Sequence, residues 1–276
     1  MTQRVALVTG SNKGIGFAIV RALCKQLDNG IVYLTARNEE RGKEAVARLN
    51  QEGLQPKFHQ LDVTDRDSVR KLKDFLKETH GGLDILVNNA AIAFKMNATE
   101  TFAVQASVSM EVNFTALLDV SRTLIPLVRS HGRIVHVAST SGKWAYDEMS
   151  AEVKGRFQAV KTEQDVEQLM KEFVESANAG DHTAKGWPNS AYGTSKMGVI
   201  ALTKIQAADL AKDKTREDVL ATCCCPGYVD TDMSSHKGPL TIDQGAETPI
   251  YLALLPPGSE NLNGKMFSKK ELLEFW

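Results

Sequence analysis

The feature that most constrains this chain is a regular alternation of short apolar runs with longer amphipathic stretches. The runs carry Val, Ile and Leu at successive positions, which is typical of parallel strands buried on both faces. The stretches between them carry apolar residues at helical spacing. The alternation therefore predicts an α/β fold with a doubly wound, mostly parallel sheet. The predicted strands are residues 5–8, 31–36, 57–61, 84–87, 133–139, 219–224 and 265–267, and the predicted helices begin at residue 15 and span 39–51, 65–78, 110–129, 165–176, 192–211 and 242–254.

Residues 140–191 interrupt the alternation, because they contain no convincing strand. Five apolar residues there recur at the spacing of one helix face, so a helix packed on the body is expected. No internal repeat and no long linker divides the 276 residues. We therefore predict a single domain, residues 1–276, with a helical insertion at about residues 142–189. The five apolar residues are Val166, Leu169, Met170, Phe173 and Val174.

The composition is that of an ordinary globular protein, with 42% hydrophobic and 24% charged residues. A formal net charge of -1 gives no electrostatic reason to expect nucleic acid or an anionic membrane as a partner. The apolar runs are far shorter than a membrane span, and the N-terminal residues do not resemble a secretory signal. Four cysteines, three of them adjacent at 223–225, lack the spacing of a zinc site. We expect a soluble cytoplasmic protein with free thiols and no metal.

A glycine-rich turn follows the first predicted strand and opens the first helix. Gly10 allows a tight turn, Gly14 lets the backbone approach a pyrophosphate, and Gly16 lets the helix pack closely on the strand. Free N–H groups at the helix N-terminus then face the phosphates. The alternative is a merely structural turn, but its position at the first β-α crossing favours a dinucleotide site. The residues of this site are Gly10, Asn12, Lys13, Gly14, Ile15 and Gly16.

A cation stands where NAD-specific sites usually carry a carboxylate for the ribose 2′-hydroxyl. The second predicted strand ends with Arg37, whose guanidinium can pair with a 2′-phosphate. Lys13 in the glycine loop adds a second positive charge. The alternative is that both are solvated surface cations. Their joint occurrence at these two positions favours NADPH/NADP+ as the cofactor.

Several further motifs occur in a fixed order along the chain. With the glycine loop, they resemble the short-chain dehydrogenase/reductase family over essentially its whole length, which implies a Rossmann-type fold. They are Leu61-Asp62-Val63, Asn88-Asn89-Ala90, Asn113, Ser139, Tyr192-Gly193-Thr194-Ser195-Lys196, and Pro226-Gly227-Tyr228-Val229-Asp230-Thr231.

The resemblance assigns further residues to the cofactor. Asp62 and Val63 would hold the adenine ring and Asn89 the ribose, although Asp62 could instead be a helix N-cap. The loop at 226–231 would close over the nicotinamide. Ala91 departs from the family, which usually has glycine there, so the loop floor is expected to shift slightly. The closing-loop residues that would contact the cofactor are Pro226, Gly227, Val229 and Thr231, and Tyr192 and Lys196 would also touch it.

The resemblance also implies a catalytic group of Asn113, Ser139, Tyr192 and Lys196. Tyr192 and Lys196 are four residues apart on a helix and share a face. Tyr192 would protonate the substrate oxygen, with its pKa lowered by the ammonium and the nicotinium charge. Ser139 would hydrogen-bond the same oxygen, with Ser141 as its rival. Asn113 would help to hold a water that links Lys196 to solvent, or would be satisfied by a backbone group.

Within the family, the chain is similar to the monomeric cytosolic NADPH-dependent carbonyl reductases of animals. The insertion, the segment 186–193 and the segment 245–257 carry this likeness. Such reductases act on quinones, aromatic and aliphatic aldehydes and ketones, and some prostaglandins and steroids. Plant monoterpenoid and alkaloid ketone reductases share a similar insertion, so both subfamilies stay open. Since the insertion could cover a helix face through which relatives tetramerise, a monomer is expected.

An apolar pocket with few polar groups should accept a small-molecule carbonyl substrate. Relatives can bind glutathione or its conjugates beside this pocket and carry a reactive cysteine whose position matches Cys225. The alternative for Cys225 is an inert buried thiol. His136 is expected to be a packing residue. The predicted pocket residues, besides Ser139, are Ile92, Ala93, Phe94, Thr140, Ser141, Tyr228 and Met233.

Two other functions compete with carbonyl reduction. One is an oxidative hydroxysteroid or hydroxyprostaglandin dehydrogenase, which the cations Arg37 and Lys13 disfavour because cellular NADPH pools drive reduction. The other is a non-catalytic NADPH sensor, which would predict erosion of the catalytic group. All four of its members are present, so the sequence favours an enzyme.

Overall fold

One sheet forms the centre of the computed structural model, which describes residues 3–95 and 97–274. Its order is β3-β2-β1-β4-β5-β6-β7-β8, in which the first seven strands pair in parallel and β8 is antiparallel to β7. The predicted doubly wound, mostly parallel sheet is confirmed. The strands are β1 (Arg4–Val8), β2 (Gly30–Ala36), β3 (Lys57–Gln60), β4 (Leu83–Asn88), β5 (Val128–Val137), β6 (Leu220–Cys225), β7 (Met266–Ser268) and β8 (Glu271–Leu272).

Helices cover both faces of the sheet, which is why its strands are apolar at successive positions. Ala6 and Val8 of β1 pack in one cluster with α1, α2 and α10, and Val5 and Leu7 pack in another with α3, α5 and α9. The helices are α1 (Gly14–Gln26), α2 (Glu39–Gln51), α3 (Arg66–His80), α4 (Phe102–Met110), α5 (Ala116–Leu124), α6 (Thr140–Glu148), α7 (Ala151–Ala159), α8 (Glu163–Ala179), α9 (Ala191–Lys212) and α10 (Ile242–Ala253).

Two predicted elements have the wrong boundaries. The helix predicted at 110–129 is α4, a π-helical turn at Glu111–Thr115, α5 and a 3-10 turn at Ile125–Leu127. Pro126 lacks an N–H donor and ends the helical hydrogen bonding, so residues 128–129 already belong to β5. The strand predicted at 133–139 ends at Val137, because Ser139 is the N-cap of α6. The prediction also missed β8, which is only two residues long.

The segment between β5 and α9 folds into α6, α7 and α8, of which only α8 was predicted. A capping box of Thr162 and Asp165 begins α8. This helix packs on α4 and α9, and its residue Phe173 meets Trp187 and Phe102 in a buried aromatic group. The segment therefore adds its own hydrophobic cluster to the outside of the helical layer.

The cysteines are free, as predicted, and the three adjacent ones are buried in β6. Among the described residues, no helix combines the length and apolar character that crossing a membrane requires.

A chain of hydrogen-bonded polar side chains runs from the buried sheet to the partly exposed start of α8. His136 of β5 is fully buried, and its Nδ1 lies 3.1 Å from Asn88 Nδ2. Its Nε2 lies 2.9 Å from Gln206 Oε1, and Gln206 Nε2 donates to Glu163 Oε1 at 2.8 Å. Arg122 completes the chain by donating to Glu163 Oε2. A neutral imidazole that accepts at Nδ1 and donates at Nε2 satisfies every one of these contacts.

Acid should destabilise the fold through His136. Burial lowers the pKa of His136 from 6.5 to about 4, with a smaller lowering from the charge of Lys196, while the Gln206 hydrogen bond raises it. Because the unfolded chain takes up a proton near pH 6.5 that the folded protein refuses until about pH 4, the free energy of unfolding should fall over that window. The full loss is on the order of 3 kcal/mol.

Urea unfolding at several pH values measures this effect, with His136→Gln as the non-titrating comparison. The wild-type stability should fall more steeply than that of the variant between pH 6.5 and 4. Parallel pH profiles would contradict the assignment. If the variant does not fold, NMR titration of the His136 imidazole in the wild-type protein tests the assignment, because this ring should remain neutral down to about pH 4.

Candidate active site

The predicted site residues gather along the edge where the parallel strands have their carboxyl ends. At this edge β1 and β4 are neighbours, with β2 and β5 on their outer sides, so the strand order reverses there. Such a reversal opens a crevice in which doubly wound folds bind ligands. The glycine loop follows β1, Arg37 follows β2, Asp62 and Val63 follow β3, Asn89 follows β4, Ser139 follows β5, and Pro226 follows β6.

The glycine loop is tied to both neighbouring strands. Ser11 Oγ accepts from the Thr35 backbone N–H of β2 at 2.9 Å. Thr9 Oγ1 accepts from the backbone N–H groups of Asn89 and Ala90 at 2.9 and 3.0 Å. The Asn89 amide donates in turn to the carbonyls of Thr9 and Gly10, both at 3.0 Å. Asn89 therefore holds the loop in shape.

Two glycines are required by this geometry. Gly14 has a φ of +59°, and Gly16 lies so close to the loop that a methyl group on it would sit 2.5 Å from Asn89 Nδ2. The start of α1 therefore exposes backbone that no side chain covers at Gly14 and Gly16, and its N–H groups suit a pyrophosphate. Ala91 does not have a positive φ, so alanine fits at this position without backbone strain. The slight shift of the loop floor that we expected from alanine in place of glycine therefore has no conformational cause.

The two cations of the cofactor hypothesis have different surroundings. Arg37 is exposed and has no ion-pair partner within residues 3–95 and 97–274. Lys13 is the N-cap residue of α1, and its ammonium pairs with Asp232. The N-cap alternative for Asp62 is wrong, because Asp65 caps α3, while Asp62 Oδ1 accepts from the backbone and hydroxyl of Thr64.

The loop after β6 lies across the glycine loop. Thr231 places its methyl carbon 3.5 Å from where a Cβ on Gly14 would stand. Val229 is buried and forms an isolated bridge with Leu240, so the loop closes on itself. Pro226 and Gly227 lead from the strand into this loop and are more exposed.

Tyr192 and Lys196 share a face of α9 beside the end of β5. Lys196 is 2% exposed, and its Nζ donates to the Val137 carbonyl at 2.8 Å. The same Nζ lies 5.6 Å from the centre of the Tyr192 ring. Burial lowers the pKa of Lys196 to about 8. Burial also raises the pKa of Tyr192 to about 12, and a hydrogen bond with Ser139 lowers it only in part. The direction is opposite to that expected from Lys196, because desolvation of the phenolate dominates.

Ser139 and Ser141 are hydrogen-bonded to each other. Ser139 Oγ accepts from the Ser141 backbone N–H and donates to Ser141 Oγ, both at 3.1 Å. A hydrogen bond with Ser139 lowers the pKa of the Tyr192 phenol. This hydrogen bond favours Ser139 over Ser141 as the hydroxyl that acts together with Tyr192.

Asn113 lies in the π-helical turn between α4 and α5 and is fully buried. Its Oδ1 accepts from Ile92 N–H at 2.8 Å, and its Nδ2 donates to the Ile92 carbonyl and to Ser195 Oγ, both at 3.0 Å. Ser195 Oγ donates to the Tyr192 carbonyl at 2.7 Å. The Asn113 amide is thus satisfied by backbone and a hydroxyl, and it joins the loop after β4 to the first turn of α9.

The predicted pocket residues divide by exposure. Tyr228 and Met233, on the loop after β6, are 54% and 40% exposed. Thr140 Oγ1 lies 3.6 Å from Cys225 Sγ, which connects the start of α6 to the end of β6. The half-buried members are Ile92, Ala93, Phe94, Thr140 and Ser141.

Trp144 is a residue that the sequence reasoning missed. It is 62% exposed and lies four positions after Thr140 on α6, so the two share a helix face. Thr140 meets Cys225 at the base of the loop after β6, so Trp144 is a candidate contact for a substrate that lies on this side of α6. The available signal was a tryptophan five positions after Ser139.

Cys225 is 5% exposed, and its sulfur accepts from the Gly227 backbone N–H at 3.4 Å. Reactive cysteines are ordinarily accessible to solvent. The burial therefore favours the inert alternative for this thiol.

Several known proteins resemble this chain over nearly its whole length. Carbonyl reductase [NADPH] 1 of rabbit (Oryctolagus cuniculus) is 48% identical over 275 residues, which cover 99% of each chain. Carbonyl reductase [NADPH] 1 of Homo sapiens is 48% identical over 273 residues, covering 99% of this chain and 98% of the human one. The solved structure of salutaridine reductase from Papaver somniferum superposes with a TM-score of 0.85 at 31% identity, over 96% of this chain and 99% of that one.

The menthone neomenthol reductase of Mentha piperita also superposes, with a TM-score of 0.80 at 32% identity over 98% of this chain and 100% of that chain. The family model described as short chain dehydrogenase matches residues 4–151 and 160–239. These segments include the glycine loop, Ser139, Tyr192 and Lys196. The chain therefore belongs to the short-chain dehydrogenase family.

Proposed function

We propose that this protein is an NADPH-dependent carbonyl reductase that converts quinones, aldehydes and ketones to hydroquinones or alcohols, with Tyr192 as the proton donor. The observation that carries the proposal is the meeting of Tyr192, Lys196 and Ser139 beside the glycine loop at the carboxyl edge of the sheet. The full-length similarity to proteins named carbonyl reductase [NADPH] supports the same reaction and cofactor.

The residues present fit NADPH. The bare backbone at Gly14 and Gly16 leaves room for the pyrophosphate, and the exposed guanidinium of Arg37 suits a 2′-phosphate. Asp62 and Val63 follow β3, where the adenine would lie, and Val229 and Thr231 lie on the loop that would cover the nicotinamide. When bound, NADPH supplies the hydride.

The protein supplies the proton and the placement of the substrate. The hydroxyls of Ser139 and Tyr192 would both donate to the carbonyl oxygen, and the Tyr192 proton would transfer as negative charge develops there. Lys196 would stabilise the resulting phenolate by its charge and hold ribose hydroxyls. Asn113 would act by positioning the loop after β4 and the first turn of α9.

The cofactor site favours reduction over oxidation, because Arg37 and Lys13 favour NADPH and cellular NADPH pools drive reduction. Burial raises the pKa of Tyr192 to about 12, so the phenol holds its proton near neutral pH. A non-catalytic sensor is disfavoured, because Asn113, Ser139, Tyr192 and Lys196 are all present and lie together at one edge of the sheet.

The substrate side suits planar, apolar carbonyl compounds. Two exposed, mainly apolar side chains, Tyr228 and Met233, lie on the loop after β6, and a third, Trp144, lies on α6. The layer of α8 on α4 and α9 supports a monomer, because it covers outer helix surfaces. The free cysteines support a reducing compartment such as the cytoplasm. Binding of glutathione or its conjugates stays a prediction.

Replacement of the phenol tests the proposed reaction directly. With menadione as acceptor, the wild-type protein should oxidise NADPH, and Tyr192→Phe should lower kcat by about 10²–10⁴-fold because the proton donor is lost. NADPH fluorescence titration of the same variant should show retained binding, which separates a lost acid from a lost fold. Tight NADPH binding without turnover of menadione, aldehydes or ketones by the wild type would instead favour the sensor.

Trp144 should favour bulky aromatic substrates. In Trp144→Ala, kcat/KM for a quinone should fall about threefold to tenfold, since an aromatic contact contributes roughly 0.5–1.5 kcal/mol. A small aliphatic aldehyde serves as the internal control and should be reduced as well as by the wild type. An equal loss for both substrates would show that the substitution disturbs the fold rather than a contact with the substrate.

A further inference from the structure

An ion pair joins the two loops that border the cofactor site. The ammonium of Lys13, in the glycine loop, pairs with the carboxylate of Asp232, in the loop after β6. The two side chains are 62% and 58% exposed. Asp232 follows Thr231, whose methyl group lies over Gly14. The carboxylate therefore stands beside Lys13, the second cation, after Arg37, that favours NADPH as the coenzyme.

Asp232 is held in this position by its own loop. Its Oδ1 lies 3.0 Å from His236 Nε2, and His236 Nδ1 lies 2.7 Å from Asp230 Oδ1. The backbone repeats the link, because His236 N–H donates to the Thr231 carbonyl at 2.9 Å. Hydrogen bonds to both carboxylates raise the pKa of His236. His236 thus fixes Asp232, whereas Lys13 reaches it on a flexible four-carbon stem.

We propose that Asp232 sets the coenzyme preference of this protein by competing with the 2′-phosphate of NADPH for Lys13. The proposal rests on the proposed function, in which NADPH is the coenzyme, and it takes Lys13 as a second cation, beside Arg37, for the 2′-phosphate. NADPH must draw the ammonium away from a fixed carboxylate, and the carboxylate then remains as a nearby negative charge. NADH has no 2′-phosphate, so it binds while the pair stays intact. The competition therefore weakens NADPH alone.

The size of the effect follows from the exposure of the pair. Exposed ion pairs stabilise by at most about 1 kcal/mol, which corresponds to about fivefold in a dissociation constant. Asp232 is thus expected to moderate the preference for NADPH rather than to reverse it. The effect should shrink at high salt, which screens exposed charges.

Coenzyme fluorescence titrations of Asp232→Asn at low ionic strength test the proposal. The Kd for NADPH should fall about twofold to fivefold, and the Kd for NADH should not change. Asp230→Asn is the matched control, because it removes an equal charge two residues away from a group that contacts His236 and not Lys13. It should leave the ratio of the two dissociation constants as in the wild type.

The Lys13→Ala background separates this proposal from the proposed function. There, NADPH should bind more weakly, and Asp232→Asn should no longer change the ratio. An unchanged ratio in the Asp232→Asn single variant would overturn the proposed competition. Equal weakening of both coenzymes would also overturn it, and would show that the ion pair stabilises the conformation of the loop. Wild-type reduction of menadione with NADPH, run in parallel, tests the proposed function independently of either result.

Discussion

The buried ammonium of Lys196 is the interaction on which the rest of the site depends. A charge removed from water must be paired or hydrogen-bonded, and here the Val137 carbonyl at the end of β5 accepts it at 2.8 Å. This bond fixes α9 against the strand end, and with it Tyr192 one turn earlier. The position of Ser139 is then set by the end of β5, and the position of Asn113 by its hydrogen bond to Ser195. The proposed catalytic group therefore lies together at one point of the sheet edge.

Most of the fold and of the cofactor site could be predicted because their physical causes are local in sequence. Buried parallel strands must be apolar at successive positions, and a turn that approaches a pyrophosphate needs glycine at Gly14 and Gly16. The carboxyl ends of parallel strands share one edge, so Asp62, Asn89 and Ser139 had to lie along it. The spacing of Tyr192 and Lys196 fixed their common helix face.

What the sequence could not provide depends on contacts between distant segments. The pairing of Lys13 with Asp232 joins loops that are far apart in the chain, as does the link of His136 through Gln206 to Glu163. Burial raises the pKa of Tyr192 in the protein without cofactor, and burial is a property of the whole fold. Helix α7 has few buried apolar residues, namely Val153 and Phe157, so its pattern was too weak to predict.

The most direct test of this account is the pH dependence of kcat/KM for NADPH-dependent reduction, compared between the wild type and Lys196→Arg. Burial lowers the pKa of Lys196 to about 8, so its charge and the reaction rate should decline together as pH rises through that value. Arginine stays charged over this range, so any activity that the variant retains should not decline near pH 8. A flat wild-type profile to pH 10, or the same decline in both proteins, would contradict the central role given to this buried ammonium.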